Sequence, residues 1–209
     1  MAATQTAARR ESETTITSVL VGVALACLGV FAILAVVVWH VHGLVSLDHT
    51  LGYTKPSYAE TWRHIMYLGS PWFVVTALLV VVTIAYAFDD RVAVAVCIVG
   101  PLLAGLLEMA AKPTVHRTIG HALSYPSGHV TLASSLAAVI VFVAYRRWGV
   151  PAVVVAAVPA AALAVLVSIA VVQTGAHYPT DAVGGVAVGL GLVSATAAGV
   201  GQFVKNRSN

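Results

Sequence analysis

Six long runs of apolar residues, separated by short polar breaks, constrain this 209-residue chain more than any other feature. They fall near residues 16–39, 72–88, 92–109, 130–145, 151–173 and 182–204. A helix rises about 1.5 Å per residue, so runs of this length approach or exceed what a hydrocarbon core of roughly 30 Å requires. With 59% hydrophobic and only 9% charged residues, the chain has too little polar surface to enclose these runs in a water-soluble domain. The expected fold is an all-α integral membrane protein, a six-transmembrane-helix bundle. The first run is longer than a signal-peptide core and no small-residue cleavage pattern follows it, so it is expected to remain as an anchor.

The remaining segments organise around these spans. Residues 1–15 are polar and are expected to form a disordered cytoplasmic tail; residues 16–204 form the membrane domain, and residues 205–209 a short C-terminal tail. Between the first two spans, Ser57-Tyr58-Ala59-Glu60 has capping-box spacing, with Trp62, Ile65 and Met66 following at helical intervals. An interfacial helix is expected there, a plain ordered loop being the alternative. Ser70-Pro71 offers a cap and a first-turn proline for the second span.

Six spans put both termini on one side. If that side is cytoplasmic, it holds Arg9, Arg10, Arg91, Arg146, Arg147, Lys205 and Arg207, against Lys55, Arg63, Lys112 and Arg117 outside. The positive-inside bias therefore favours a multi-pass plasma-membrane protein with cytoplasmic termini. The net charge of +3 is small and scattered, which gives no footprint for nucleic acid. There is no glycine-rich phosphate loop and no Cys/His zinc spacing, and Cys27 and Cys97 both lie inside spans. No metal and no cofactor is expected.

Ionisable groups at membrane depth are costly and tend to line functional cavities. Here Glu108, Lys112, Arg117, Ser127, His129, His177 and Asp181 gather at the outer ends of the third to sixth spans. Singly, each has an ordinary explanation. Glu108 and Lys112 have the spacing of a helical ion pair, Arg117 suits lipid headgroups, and His116 and His121 suit an interfacial loop. Together they suggest more. Pro126-Ser127-Gly128 before an apolar run is a helix start, whose free N–H groups and positive dipole end attract anions. His177 and Asp181, four apart at another helix entrance, pair an imidazole with a carboxylate that can orient it. This set points to phosphoryl transfer.

From Glu108 to Gly185 the chain resembles the membrane-bound type 2 phosphatidic acid phosphatases, or lipid phosphate phosphatases, whose core is shared with vanadium haloperoxidases. The Pro-Ser-Gly-His motif is intact at Pro126 to His129, and the histidine and aspartate of another motif are matched by His177 and Asp181. The resemblance implies that His177 is the nucleophile, Asp181 its orienting partner and His129 the acid that protonates the leaving group. Lys112, Ser127 and Gly128 would hold phosphate oxygens, with Glu108 in support. Two departures stand out. The family's arginine and proline after the lysine are replaced by Ile119 and Gly120, and Arg117 is expected to stand in as the phosphate clamp; the arginine before the histidine is replaced by Val171. The expected function is metal-independent hydrolysis of a lipid-linked phosphate or diphosphate at the outer face, through a phosphohistidine. Polyprenyl diphosphate, phosphatidate and phosphatidylglycerophosphate are the candidate substrates. The alternative is a non-catalytic lipid-phosphate binder or partner protein of the same fold. Oligomeric state leaves no mark in the sequence.

Overall fold

The computed structural model describes the backbone of residues 2–53, 56–57 and 59–207, and side chains between residues 14 and 203 of those ranges. Eight helices and one hairpin follow in chain order: α1 (Ala2–Val37), α2 (Ser46–Thr50), α3 (Glu60–Tyr67), α4 (Pro71–Ala87), α5 (Arg91–Val115), the strands β1 (Thr118–Ile119) and β2 (Ala122–Leu123), α6 (Gly128–Trp148), α7 (Val150–Gln173) and α8 (Pro179–Arg207). Six helical segments are long and apolar enough to cross a membrane, and they coincide with the six runs of the sequence. The chain is a multi-pass, all-α membrane protein.

Local chemistry accounts for most helix ends. Ser70 accepts a hydrogen bond from the Phe73 amide, and Pro71 occupies the first helical turn of α4, as the sequence suggests. Asp90 caps α5 by accepting from the Ala93 amide, while Arg146 grips the same carboxylate through two hydrogen bonds. At its far end α5 runs on to Val115, six residues beyond the expected 109, and stops at His116 in a left-handed conformation. That extension carries Lys112 one turn past Glu108, on the same face of the helix.

Three expectations at segment boundaries differ from the structure. α1 begins at Ala2, so the segment 1–15 expected as a disordered tail is helical from Ala2 onward. Alanine, arginine and glutamate there are good helix formers, and extending an existing helix avoids the cost of nucleating one. α8 likewise continues through residues 205–207 of the expected C-terminal tail, and 208–209 lie outside the described residues. The helix expected between the first two spans is present as α3, yet its N-cap is Ala59 and no capping box forms. The Ser57 amide is instead spent on the Gln173 carbonyl at the end of α7; Tyr58 lies outside the described residues.

α6 and α8 form the centre of the bundle. Their most apolar windows are 56% buried, against 17% for α1 and α7, so the outer helices turn most of their surface to lipid. α8 packs on α1, α5 and α6, and α6 also packs on α7, α4 and α5. Small residues bring α8 close to α6: a Cβ at Gly189 would lie within 2.7 Å of the Thr131 carbonyl, and one at Gly185 within 2.7 Å of the Ser127 carbonyl. One core cluster joins Val130 and Ala133 of α6 with Val167 and Val171 of α7 and Ala182 of α8. Both helix starts that carry the histidine motifs rest on it.

Candidate active site

The two motif-bearing helix starts are joined directly. The Ser127 amide, at the N-cap of α6, donates to the Asp181 carbonyl in the first turn of α8 at 3.0 Å. Ser127 is fully buried, its hydroxyl makes no capping bond, and that Oγ has no partner among the described residues. The first-turn N–H groups of α6 are left without intrahelical acceptors in the usual way. Gly128 sits tight against α5: a Cβ there would lie 2.9 Å from Glu108 Oε1. A larger residue there would require that carboxylate to shift. The α3–α4 junction also presses on this turn, since a Cβ at Gly69 would lie 2.6 Å from the His129 carbonyl oxygen.

Lys112 Nζ is 2.5 Å from Glu108 Oε1, with the lysine the more exposed of the two. The pair therefore brings one cation and one anion to the start of α6. His129 lies within electrostatic reach of His177, Lys112 and Glu108. Glu108, Lys112, Ser127, Gly128, His129, His177 and Asp181 thus lie near one another.

His177 is held by its backbone. Its amide and that of Ala176 both donate to the Val171 carbonyl, at 3.1 and 3.0 Å. The side chain is nearly buried, and Nδ1 stands 3.7 Å from Asp181 Oδ2, a salt-bridge separation too long for a hydrogen bond. Asp181 Oδ2 accepts from the Tyr178 amide at 3.0 Å, and Oδ1 accepts from Arg117 at 2.6 Å. Val171 is wholly buried in the apolar cluster beside Val130 and Val167. Its side chain faces the core, so that position is a packing site in this chain.

Arg117 is where the structure departs most from the sequence reading. Its side chain is completely buried, and four of its five N–H groups are committed. Nη1 donates to Thr180 Oγ1 and Asp181 Oδ1; Nη2 donates to the Gly43 carbonyl and to Asp48 Oδ2. The guanidinium also lies 4.5 Å from the centre of the Tyr178 ring. A group so engaged is a strut between segments, and the expected role of Arg117 as a phosphate clamp does not fit this arrangement. Two carboxylates have captured it, because an unpaired buried charge is far more costly than a paired one.

Asp48 and Thr180 are the site residues that sequence reasoning missed. Asp48, on the short helix α2, is fully buried and uses both oxygens: Oδ1 accepts from the Thr180 amide and hydroxyl at 3.0 and 2.7 Å, and Oδ2 from the Val45 amide and Arg117. Burial alone would raise its carboxyl, but the hydrogen bonds from Val45, Thr180 and Arg117 outweigh it and hold the group below the usual carboxylate range. Tyr125 is shifted the other way. Burial first, then the Asp181 charge, raises its phenol, whose hydroxyl donates to the Phe31 carbonyl at 2.7 Å. The sequence signal for Asp48 is only that of one of two acids between the first two spans, with no partner at a readable spacing.

Residues 103–205 match the PAP2 superfamily. The fold is shared with a crystal structure described as the first transmembrane PAP2-type phosphatidylglycerolphosphate phosphatase from Bacillus subtilis, with a TM-score of 0.66 over 89% of this chain and 97% of that one, at 22% sequence identity. No curated protein matches the chain.

Proposed function

Because the chain belongs to the PAP2 superfamily of membrane phosphatases, we propose that it hydrolyses a lipid-linked phosphate or diphosphate through a phosphohistidine at the outer membrane face, without a metal ion. The observation that carries this reading is the Ser127–Asp181 backbone bond, which sets the anion-attracting start of α6 against the helix entrance bearing His177.

In this mechanism His177 attacks phosphorus through Nε2, and the P–O bond to the lipid breaks. His129 gives its proton to the departing lipid oxygen, then takes a proton from the water that cleaves the phosphorus–nitrogen bond and releases phosphate. Asp181 stabilises the positive charge on the phosphorylated imidazole. Lys112, Ser127 and the Gly128 amide hold the non-bridging oxygens. A membrane-embedded site suits a substrate whose hydrocarbon tail never leaves the bilayer. A polyprenyl diphosphate fits an outward site that recycles a carrier. Phosphatidylglycerophosphate, the substrate named for the Bacillus subtilis protein of this fold, and phosphatidate complete the set to be tested.

One observation favours a lipid-phosphate binder as the second reading. Lys112 is paired with Glu108, and Arg117 is turned inward, so few cations remain for phosphate.

The test is phosphate release by the purified protein in detergent from these three lipids, with chelator and without. Wild type is expected to act on at least one, unaffected by chelator, and to trap an acid-labile phosphohistidine that His177→Ala lacks. His129→Ala is expected to keep more activity on an aryl phosphate, whose leaving group needs little protonation, than on a lipid. Wild-type turnover by His177→Ala overturns the mechanism, and strict metal dependence overturns the chemistry. Binding without release from any lipid establishes the second reading.

A further inference from the structure

We infer that Asp48 is a positioning residue for the site, acting through Arg117 to keep the charge of Asp181 available to His177. The inference rests on the reading of His177 as the phosphoryl acceptor.

Arg117 lies between two carboxylates, with Nη2 on Asp48 at 2.6 Å and Nη1 on Asp181 at 2.6 Å, and all three side chains are fully buried. One cation between two anions leaves the cluster with a net charge of minus one. Its outlet is Asp181 Oδ2, which stands 3.7 Å from His177 Nδ1. Without Asp48, Arg117 and Asp181 would form a neutral pair, and the carboxylate meant for the imidazole would be cancelled by its other neighbour. With Asp48 present, Arg117 is satisfied from behind. The same aspartate accepts from the Thr180 amide in the first turn of α8, so it also caps the helix that carries Asp181. Two chemically independent observations, the charge balance and the cap, therefore assign Asp48 to the same task.

Among the described residues, the other charged or titratable groups around His177 and the cluster are His129 on α6, the Lys112–Glu108 pair on α5, Tyr178 beneath Arg117, and Tyr125, which feels the charges of Asp181 and Arg117. None of these is altered by the substitutions below.

Three variants change the cluster charge in a known order. Asp48→Asn makes it neutral with little change of shape, Arg117→Gln makes it minus two, and the double variant returns it to minus one. The readout is the titration of the His177 imidazole, followed by NMR in detergent on histidine-labelled protein and assigned with His177→Gln. A more negative neighbour favours the imidazolium, so the midpoint is expected to move down in Asp48→Asn, up in Arg117→Gln and back toward wild type in the double variant, by about half a pH unit or more per charge. In parallel, the turnover number on the preferred lipid is expected to fall roughly tenfold or more in Asp48→Asn with little change in KM. Thr180→Val removes the two hydrogen bonds of the hydroxyl, to Arg117 and Asp48, and no charge, and is expected to leave the midpoint in place.

If Asp48 merely fastens the loop, all three charge variants shift the midpoint in one direction, or none does, and the inference is overturned. If Asp48→Asn alone does not fold, Arg117→Gln and the double variant still decide it, since the inference requires the former to titrate above the latter. The titration needs no turnover. A protein that releases no phosphate therefore sinks the proposed function while leaving the charge order to be read on its own.

Discussion

Replacing Gly185 by alanine is expected to damage activity out of proportion to the one methyl group added. A Cβ at this position would lie 2.7 Å from the Ser127 carbonyl oxygen, 3.0 Å from Val130 Cβ and 3.1 Å from the Thr131 amide nitrogen. The nearest of these contacts falls about 0.7 Å short of the 3.4 Å at which ordinary contact begins, and it is with backbone, which cannot rotate away. α8 must then retreat from the start of α6 by a distance of that order. The Ser127–Asp181 bond crosses this gap, so the displacement separates the phosphate cradle from His177 and Asp181. A misplacement near 1 Å costs up to about a hundredfold in rate, so a loss of roughly 10- to 100-fold in turnover is expected. Overpacking of this kind also costs about 1–3 kcal/mol of stability. Gly199→Ala supplies the control, because it lies exposed on the same helix with nothing within 4 Å. There the better helix propensity of alanine is expected to raise stability by up to about 1 kcal/mol. Phosphate release and thermal unfolding in detergent measure both variants. The reasoning is refuted if Gly185→Ala matches Gly199→Ala in both, within about twofold in rate.

Two further outcomes follow from the geometry. Glu108→Gln removes the anion beside Gly128 and releases Lys112, so inhibition by inorganic phosphate is expected to tighten by up to about fivefold, the scale of a partly exposed ion pair; weaker inhibition would mean that Glu108 serves to hold the lysine in place. Orientation is open to labelling with a membrane-impermeant thiol reagent in intact cells, after Cys27 and Cys97 are replaced. Ala122→Cys, exposed on the hairpin beside the site, is expected to react from outside, and Val150→Cys, exposed at the start of α7, only after permeabilisation. The opposite pattern moves the site to the cytoplasm.

What could be read along the chain was whatever depends on near neighbours. Each span is a run of apolar residues whose length is compared directly with a bilayer, and all six are present in the fold. Ser70-Pro71 marks a helix start because a cap and its target amide are three residues apart. The two histidine motifs were legible for the same reason: Ser127 to His129 are contiguous, His177 stands four residues before Asp181 at a helix entrance, and Glu108 lies one turn from Lys112.

The partners of Arg117 were not legible. A cation two residues past a helix end can face lipid headgroups, phosphate or the protein interior, and nothing local distinguishes these. Tertiary packing chose the interior by bringing Asp48 to it across 69 residues of chain, and by setting the same carboxylate on Thr180 across 132. Val171 is a second case. Its position in the motif suggested a lost clamp, whereas the fold turns it into the apolar cluster with Val130 and Val167, where a guanidinium would be buried without a partner. Gly185 is a third, an unremarkable residue in an apolar run until α6 lies against it. Hydropathy and motif spacing follow from covalent neighbours and helix period, so the sequence determined the membrane bundle and the candidate histidines by itself. Which buried charge meets which is settled by desolvation, since a charge removed from water must find an opposite one wherever the fold places it, and only the tertiary structure decides where that is.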